Sequence, residues 1–267
     1  MTRFAALATW LAVLVLTVLP LAGCATGATL PEREDTLMQV STVDALIEGV
    51  YDGVMTFEML RTYGDFGIGT LDGVDGEMLA LDGRFLQVTA DGAVHAVPDT
   101  RQTPFAAVTF FEADSVYAVP EGLNLAGFEA FLDSKLDTVN TFYAVRIDGT
   151  FTSMKTRSVP AQSRPYPPLA EVTANQAVFE FGETAGTVVG FRCPPFVAGV
   201  NVPGYHLHFI SADEAGGGHV LGFTTGQCTV SVDVTRDFLM VLADPGSDFY
   251  EADLTPDNQE ALEQAEK

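Results

Sequence analysis

Asp-Gly pairs recur at 72–73, 75–76, 82–83 and 91–92, and between them lie short apolar runs such as "EMLAL", "RFLQVTA" and "AVHAVP". Both residue types tolerate positive φ, so pairs this closely spaced read as tight turns joining short strands. They predict an antiparallel meander from Gly67 onward, continued by a strand in "AAVTFFEA". Farther along, "FYAVRIDGTFTSMKTRSV" predicts two strands around Asp148-Gly149. "PAQSRPYPPLAE", with four prolines, predicts a boundary, because proline removes the donors that a ladder or helix needs. Beyond it "QAVFEF", "GTVVGFRC", "YHLHFIS", "HVLGFTT" and "CTVSVDV" read as five strands joined by glycine-rich turns.

Helices are few. "STVDALIEGVYDG" carries Val43, Leu46, Ile47, Val50 and Tyr51 at helical spacing, with Ser41 and Asp44 placed as a capping box. Thr56 caps a short helix in "TFEMLRTYG", and Asn124 caps one in "NLAGFEAFLDSKL". Thr255 caps a last one, with Pro256 at its first position. The expected fold class is mixed α/β with mainly antiparallel strands. The two sheet-rich domains, 36–164 and 165–267, meet near residue 165.

The first 23 residues hold one charge, Arg3, ahead of an apolar run ending in small residues, which is the layout of an export signal. Leu21-Ala22-Gly23-Cys24 resembles a bacterial lipobox. That resemblance implies cleavage before Cys24, lipidation of its thiol, and attachment to the cell envelope through a tether spanning 24–35. The cleaved chain would keep 36 acidic residues and 12 basic ones, a formal charge of −24. Such a surface repels phosphate backbones and argues against a nucleic-acid partner. The remaining cysteines, Cys193 and Cys228, could pair in an oxidising compartment or stay as buried thiols.

Three of the chain's four histidines fall within "YHLHFISADEAGGGH". His206 and His208 flank Leu207 in a predicted strand, so both imidazoles emerge from one face and Leu207 from the other. Gly216, Gly217 and Gly218 let the next strand return and bring His219 alongside. Three neutral imidazoles with an open position suit a catalytic zinc ion, since structural sites are normally closed by four ligands. Histidines satisfied by hydrogen bonds on a sheet are the alternative. His95 has no partner in sequence and reads as structural.

Four blocks together, "YGDFGIGTLDGVDGEMLALDGRFLQ", "TRSVPAQSRPYPPL", "FRCPPFVAGVNVPGYHLHFISAD" and "GGGHVLGF", resemble the α-acetolactate decarboxylase family in order and over nearly the whole cleaved chain. The resemblance implies a two-domain α/β fold, a homodimer, and a site between the domains in which zinc is bound by His206, His208 and His219. It places family site residues on Glu77, on Arg157 and, near the substrate, on Thr70. A further glutamate comes from the C-terminus, where Glu260, Glu263 and Glu266 compete and spacing favours Glu266. The implied substrate is a small 2-hydroxy-3-oxo acid, 2-hydroxy-2-methyl-3-oxobutanoate, decarboxylated to acetoin. Other readings of the same histidines are a zinc-hydroxide hydratase or hydrolase and a non-catalytic zinc-binding lipoprotein.

Overall fold

The computed structural model describes residues 35–255 and 257–266. The expected signal peptide, Cys24 and all of the tether except Asp35 lie outside them. Among the described residues no helix is long and apolar enough to cross a membrane.

Along the chain run β1 (Thr36–Val40), α1 (Val43–Ile47), β2 (Met55–Thr56), α2 (Phe57–Leu60), β3 (Phe66–Thr70), β4 (Glu77–Leu81), β5 (Arg84–Val88), β6 (Val94–Ala96), β7 (Gln102–Thr103), β8 (Ala106–Thr109) and β9 (Ser115–Val119). Then come α3 (Leu125–Asp133), β10 (Phe142–Ser158), α4 (Leu169–Thr173), β11 (Ala177–Phe181), β12 (Thr184–Cys193), β13 (Gly204–Ser211), β14 (Gly217–Thr235), β15 (Asp237–Val241) and α5 (Gln259–Ala265). A seven-stranded sheet has the order β15-β1-β8-β3-β4-β5-β6 and a six-stranded sheet the order β11-β10-β12-β13-β14-β9. All pairings are antiparallel except β1 with β15.

The Asp-Gly meander is present. Asp82 and Gly83, at φ 50° and 75°, form the two-residue turn between β4 and β5, a backbone whose twist matches that of the strands. Elsewhere the glycine signals mislead. β10 and β14 are each one continuous strand where two are expected, and they pair along their length from Phe142↔Thr235 to Arg157↔His219. Gly149 makes no hairpin: it sits at φ 147°, where a Cβ would come 2.2 Å from the Gln227 carbonyl oxygen, and register shifts follow it. Its role is close approach of two strands at a bulge, which in sequence looks the same as a turn.

The expected boundary near residue 165 is not where the sheets divide. β9 and β10 precede it and belong to the six-stranded sheet, while β15 returns to lie beside β1 in the other. Asp35, at the end of the expected tether, already accepts the backbone N–H groups of Arg236 and Asp237. β1 and β15 carry little strand signal in sequence, because each is a short run without turn residues on both flanks.

Helix caps follow local chemistry with two shifts. Thr56 and Asn124 cap α2 and α3, accepting from the N–H groups of Met59 and Gly127. Thr42 replaces Ser41 as cap of α1, because Ser41 takes φ 61° and Thr42 Oγ1 reaches the Ala45 N–H. α5 begins after Asn258, later than Thr255, whose N–H and hydroxyl both donate to Asp253.

Alternation along the strands sets the core. Leu79 of β4 and Ile210 of β13 join one cluster with Phe66, Ile68, Val189 and Phe191, so this cluster lies between the sheets. Met78 and Ala80 face a second cluster with Phe57 and Leu60 of α2, and Leu207 and Phe209 a third with Phe128 and Leu132 of α3. A fourth joins α1, α4 and α5 through Val43, Ile47, Leu169, Val172, Leu262 and Ala265. Cys193 and Cys228 are free, buried and in different clusters.

Candidate active site and metal centre

His206 and His208 share the face of β13 that carries Ile210, which turns them toward the seven-stranded sheet while Leu207 points away. The β13–β14 hairpin pairs His208 directly with His219. Gly218 allows this: at φ 124° it lies so close to β10 that a Cβ would meet the Arg157 carbonyl oxygen at 2.3 Å. The three ring centroids lie 5.0 to 5.4 Å apart, and one potential ligand atom from each ring lies within 4.8 Å of the others. His208 Nδ1 is 2.8 Å from the Met78 carbonyl oxygen, so it carries the proton and leaves the Nε2 lone pair free. That Nε2 is buried with no hydrogen-bond partner. Burial lowers the pKa of all three imidazoles, most strongly at His208 and His219, and Arg157 pushes in the same direction. Neutral imidazole is the form that binds metal.

The other sheet supplies Glu77 and Thr70, which face each other across β3 and β4. Glu77 has the parity of Leu79 and therefore enters the space between the sheets. Its Oε2 lies 3.5 Å from His208 Nε2, and its Oε1 accepts a 2.6 Å bond from Arg157 Nη1. Both partners are about 5 % exposed. Thr70 is buried, and its hydroxyl donates to the Gly76 carbonyl, bracing the turn that precedes Glu77. Burial pushes the Glu77 carboxyl up to about 7, opposed by Arg157 and helped by Glu266.

Arg157 reaches the site through a register change. In β10, Val145, Ile147 and Phe151 face the α3 cluster; past the register shift between Phe151 and Ser153 it is Met154 that does so, leaving the odd-numbered Arg157 on the opposite face. α5 contributes Glu266, whose Oε2 lies 3.7 Å from His219 Nε2 and 3.9 Å from His206 Nε2, and Arg157 Nη2 donates to the Ala265 carbonyl. Glu260 and Glu263 line no part of the small cavity between the histidines and Glu77, whereas Glu266 does. His95 is exposed on β6, outside the site.

A family model described as alpha-acetolactate decarboxylase matches residues 37–256. The chain belongs to the alpha-acetolactate decarboxylase family. A relative of that name from Methanosarcina mazei is 52 % identical over 87 % of this chain and 81 % of its own length, and one from Bacillus subtilis is 38 % identical over 86 % and 90 %. The crystal structure of alpha-acetolactate decarboxylase from Bacillus subtilis strain 168 superposes with a TM-score of 0.84 at 37 % identity, covering 86 % of this chain and 99 % of that one. The protein is an enzyme of the alpha-acetolactate decarboxylase class, and the histidine-glutamate-arginine constellation lies within the region matched by the family model, with Glu266 just beyond it.

Proposed function

We propose that the protein converts (S)-2-hydroxy-2-methyl-3-oxobutanoate to (R)-acetoin and CO2 with a zinc ion held by His206, His208 and His219. The observation that carries this reading is the convergence of three neutral imidazoles, His208 and His219 buried and His206 nearly so, with Glu77, Glu266 and Arg157, all but His219 lining one small cavity. The donor set fits zinc: nitrogen ligands, charge-neutral, with a buried Nε2 left without a protein partner. When bound there, the ion would supply Lewis acidity to the hydroxyl and ketone oxygens.

The chain's own groups do the rest. Loss of CO2 sends an electron pair toward the C3 ketone, so negative charge grows on oxygen and must be met by fixed positive charge. Arg157 offers that charge in a buried position, its fork oriented by Glu77 and by the Ala265 carbonyl. C2 must then receive a proton on one face. Burial pushes the Glu77 carboxyl up to about 7, so near neutral pH it passes between the ionised form that pairs with Arg157 and the protonated form that can donate to C2, and Glu266 flanks the histidines as the second carboxyl. Thr70 holds the turn that aims Glu77. Incubating the chain with acetolactate and zinc, and measuring acetoin, tests the reading. Hydration or hydrolysis by the same histidines would instead leave acetolactate undiminished.

We infer on sequence grounds that the chain is exported, lipidated at Cys24 and held on the envelope by that lipid, with two copies forming a homodimer. The lipobox-like Leu21-Ala22-Gly23-Cys24 supports the anchor.

A further inference from the structure

Glu266 borders three cavities. One, of about 40 Å³, lies between the sheets and is lined also by Glu77, Arg157, His206 and His208. A second, of about 620 Å³, lies across α5 and is lined by Asp44, Tyr205, Asp257 and Leu262. The third, of about 250 Å³, adjoins His219, Leu207 and Tyr205. A single water needs about 10–15 Å³ of such space, so the inner chamber holds about three waters and not a substrate of about nine non-hydrogen atoms. Glu266, at the end of α5, borders both the small chamber and the large cavity, and Gln259 and Leu262 of α5 line the large one.

α5 is held through side chains on one face and at its two ends. Leu262 and Ala265 are its buried residues, packed in the cluster with Val43, Ile47, Leu169 and Val172. Arg157 Nη2 grips its last carbonyl. Asp44 of α1 meets Asn258 at its start. No strand pairs with it, and seven residues make a helix that is marginal without tertiary packing.

We propose that α5 is a displaceable wall of the active site, seated by Leu262 and by the contact between Arg157 and Ala265. Seated, it brings Glu266 to the histidines and narrows the chamber. Displaced, it joins the chamber to the 620 Å³ cavity, the route by which a 2-hydroxy-3-oxo acid enters and acetoin leaves. Leu262 is thus a positioning residue: it touches no reacting atom and acts through Glu266. The inference rests on the acetolactate reading for the identity of the traveller, but the motion of the wall can be read without turnover.

Full-length chain loaded with zinc should be compared with Leu262→Ala and Leu262→Met by two measurements: the rate at which a chelator extracts the metal, and hydrogen exchange across the protein. Removing the packing of a buried leucine should open α5 about thirtyfold more often. Extraction and exchange of the α5 amides should both accelerate by about that factor in Leu262→Ala, and return to near the parent's values in Leu262→Met. Exchange of β13 and β14 should be unchanged in all three. Acetolactate turnover should fall in Leu262→Ala through kcat, as Glu266 spends less time at the site. Unchanged extraction and α5 exchange in Leu262→Ala would overturn the proposal, as would acceleration shared equally by β13 and β14. If the parent chain turns over no acetolactate, the function reading fails while the exchange comparison still decides the wall; if it binds no zinc, exchange of α5 alone decides it.

Discussion

Glu77 and Arg157 form a buried ion pair whose members come from different sheets, and each needs the other to be tolerable there. Removing one partner strands a charge, which typically costs about 3–5 kcal/mol. Glu77→Gln and Arg157→Ala should therefore lower stability somewhat and cut acetoin production far more, by about 10²- to 10⁴-fold for a lost proton donor, while zinc content stays close to one per chain. Zinc and turnover measured on the same folded samples check this, and loss of zinc in Glu77→Gln would make Glu77 a ligand. Asp233 gives a separate test. It is buried, and burial first, then Asp114, Asp35 and Glu112, push its carboxyl from 3.8 up to about 7. The folded state thus binds that proton more tightly than the unfolded chain, so this group's stabilisation is present below pH 3.8 and is lost as pH rises to 7. Asp233→Asn should flatten that loss, and urea titrations at pH 5 and pH 8 should show a larger relative gain for the variant at pH 8. At this scale the histidines were legible because period-two alternation fixes where His206 and His208 point. Glu77 and Glu266 were legible only through resemblance, since an acid beside a turn or on a terminal helix has no distinctive pattern.

Strands carry the site, and small departures from regularity decide what they present. The bulges in β10 turn Arg157 inward, and no residue in "FYAVRIDGTFTSMKTRSV" announces them, because Gly149 signals a hairpin as readily as a close approach. That ambiguity makes two long strands look like four in sequence. By contrast, the Asp82-Gly83 turn and the return of β14 beside β13 were legible, since both depend on local φ preferences. Gly218→Ala should force β10 and β14 apart between Arg157 and His219, lowering both zinc occupancy and melting temperature; parent-like values for both would show that the strands can yield there. Leu207→Ala should behave differently. It opens a cavity in the cluster on the α3 side and should cost about 2–5 kcal/mol in urea unfolding while zinc content holds.

On the scale of the whole molecule, the sequence indicated a mixed, mainly antiparallel α/β chain but placed the division between its sheets wrongly. That division depends on which distant strands pair, as when β15 crosses back to β1, and pairing over two hundred residues leaves no local trace. The proposed lipid anchor belongs to this scale too. Cys24→Ala should move the protein from membrane to soluble fractions without altering turnover, a result that fractionation and an acetoin assay check together. The most direct test of the account is acetoin formation by purified chain given acetolactate, with and without zinc. The account predicts acetoin and CO2 in equal amounts from the zinc-loaded protein, abolition by chelator, recovery on adding zinc back, and no recovery in His206→Ala. Folded, zinc-loaded chain that forms acetoin no faster than buffer would contradict it.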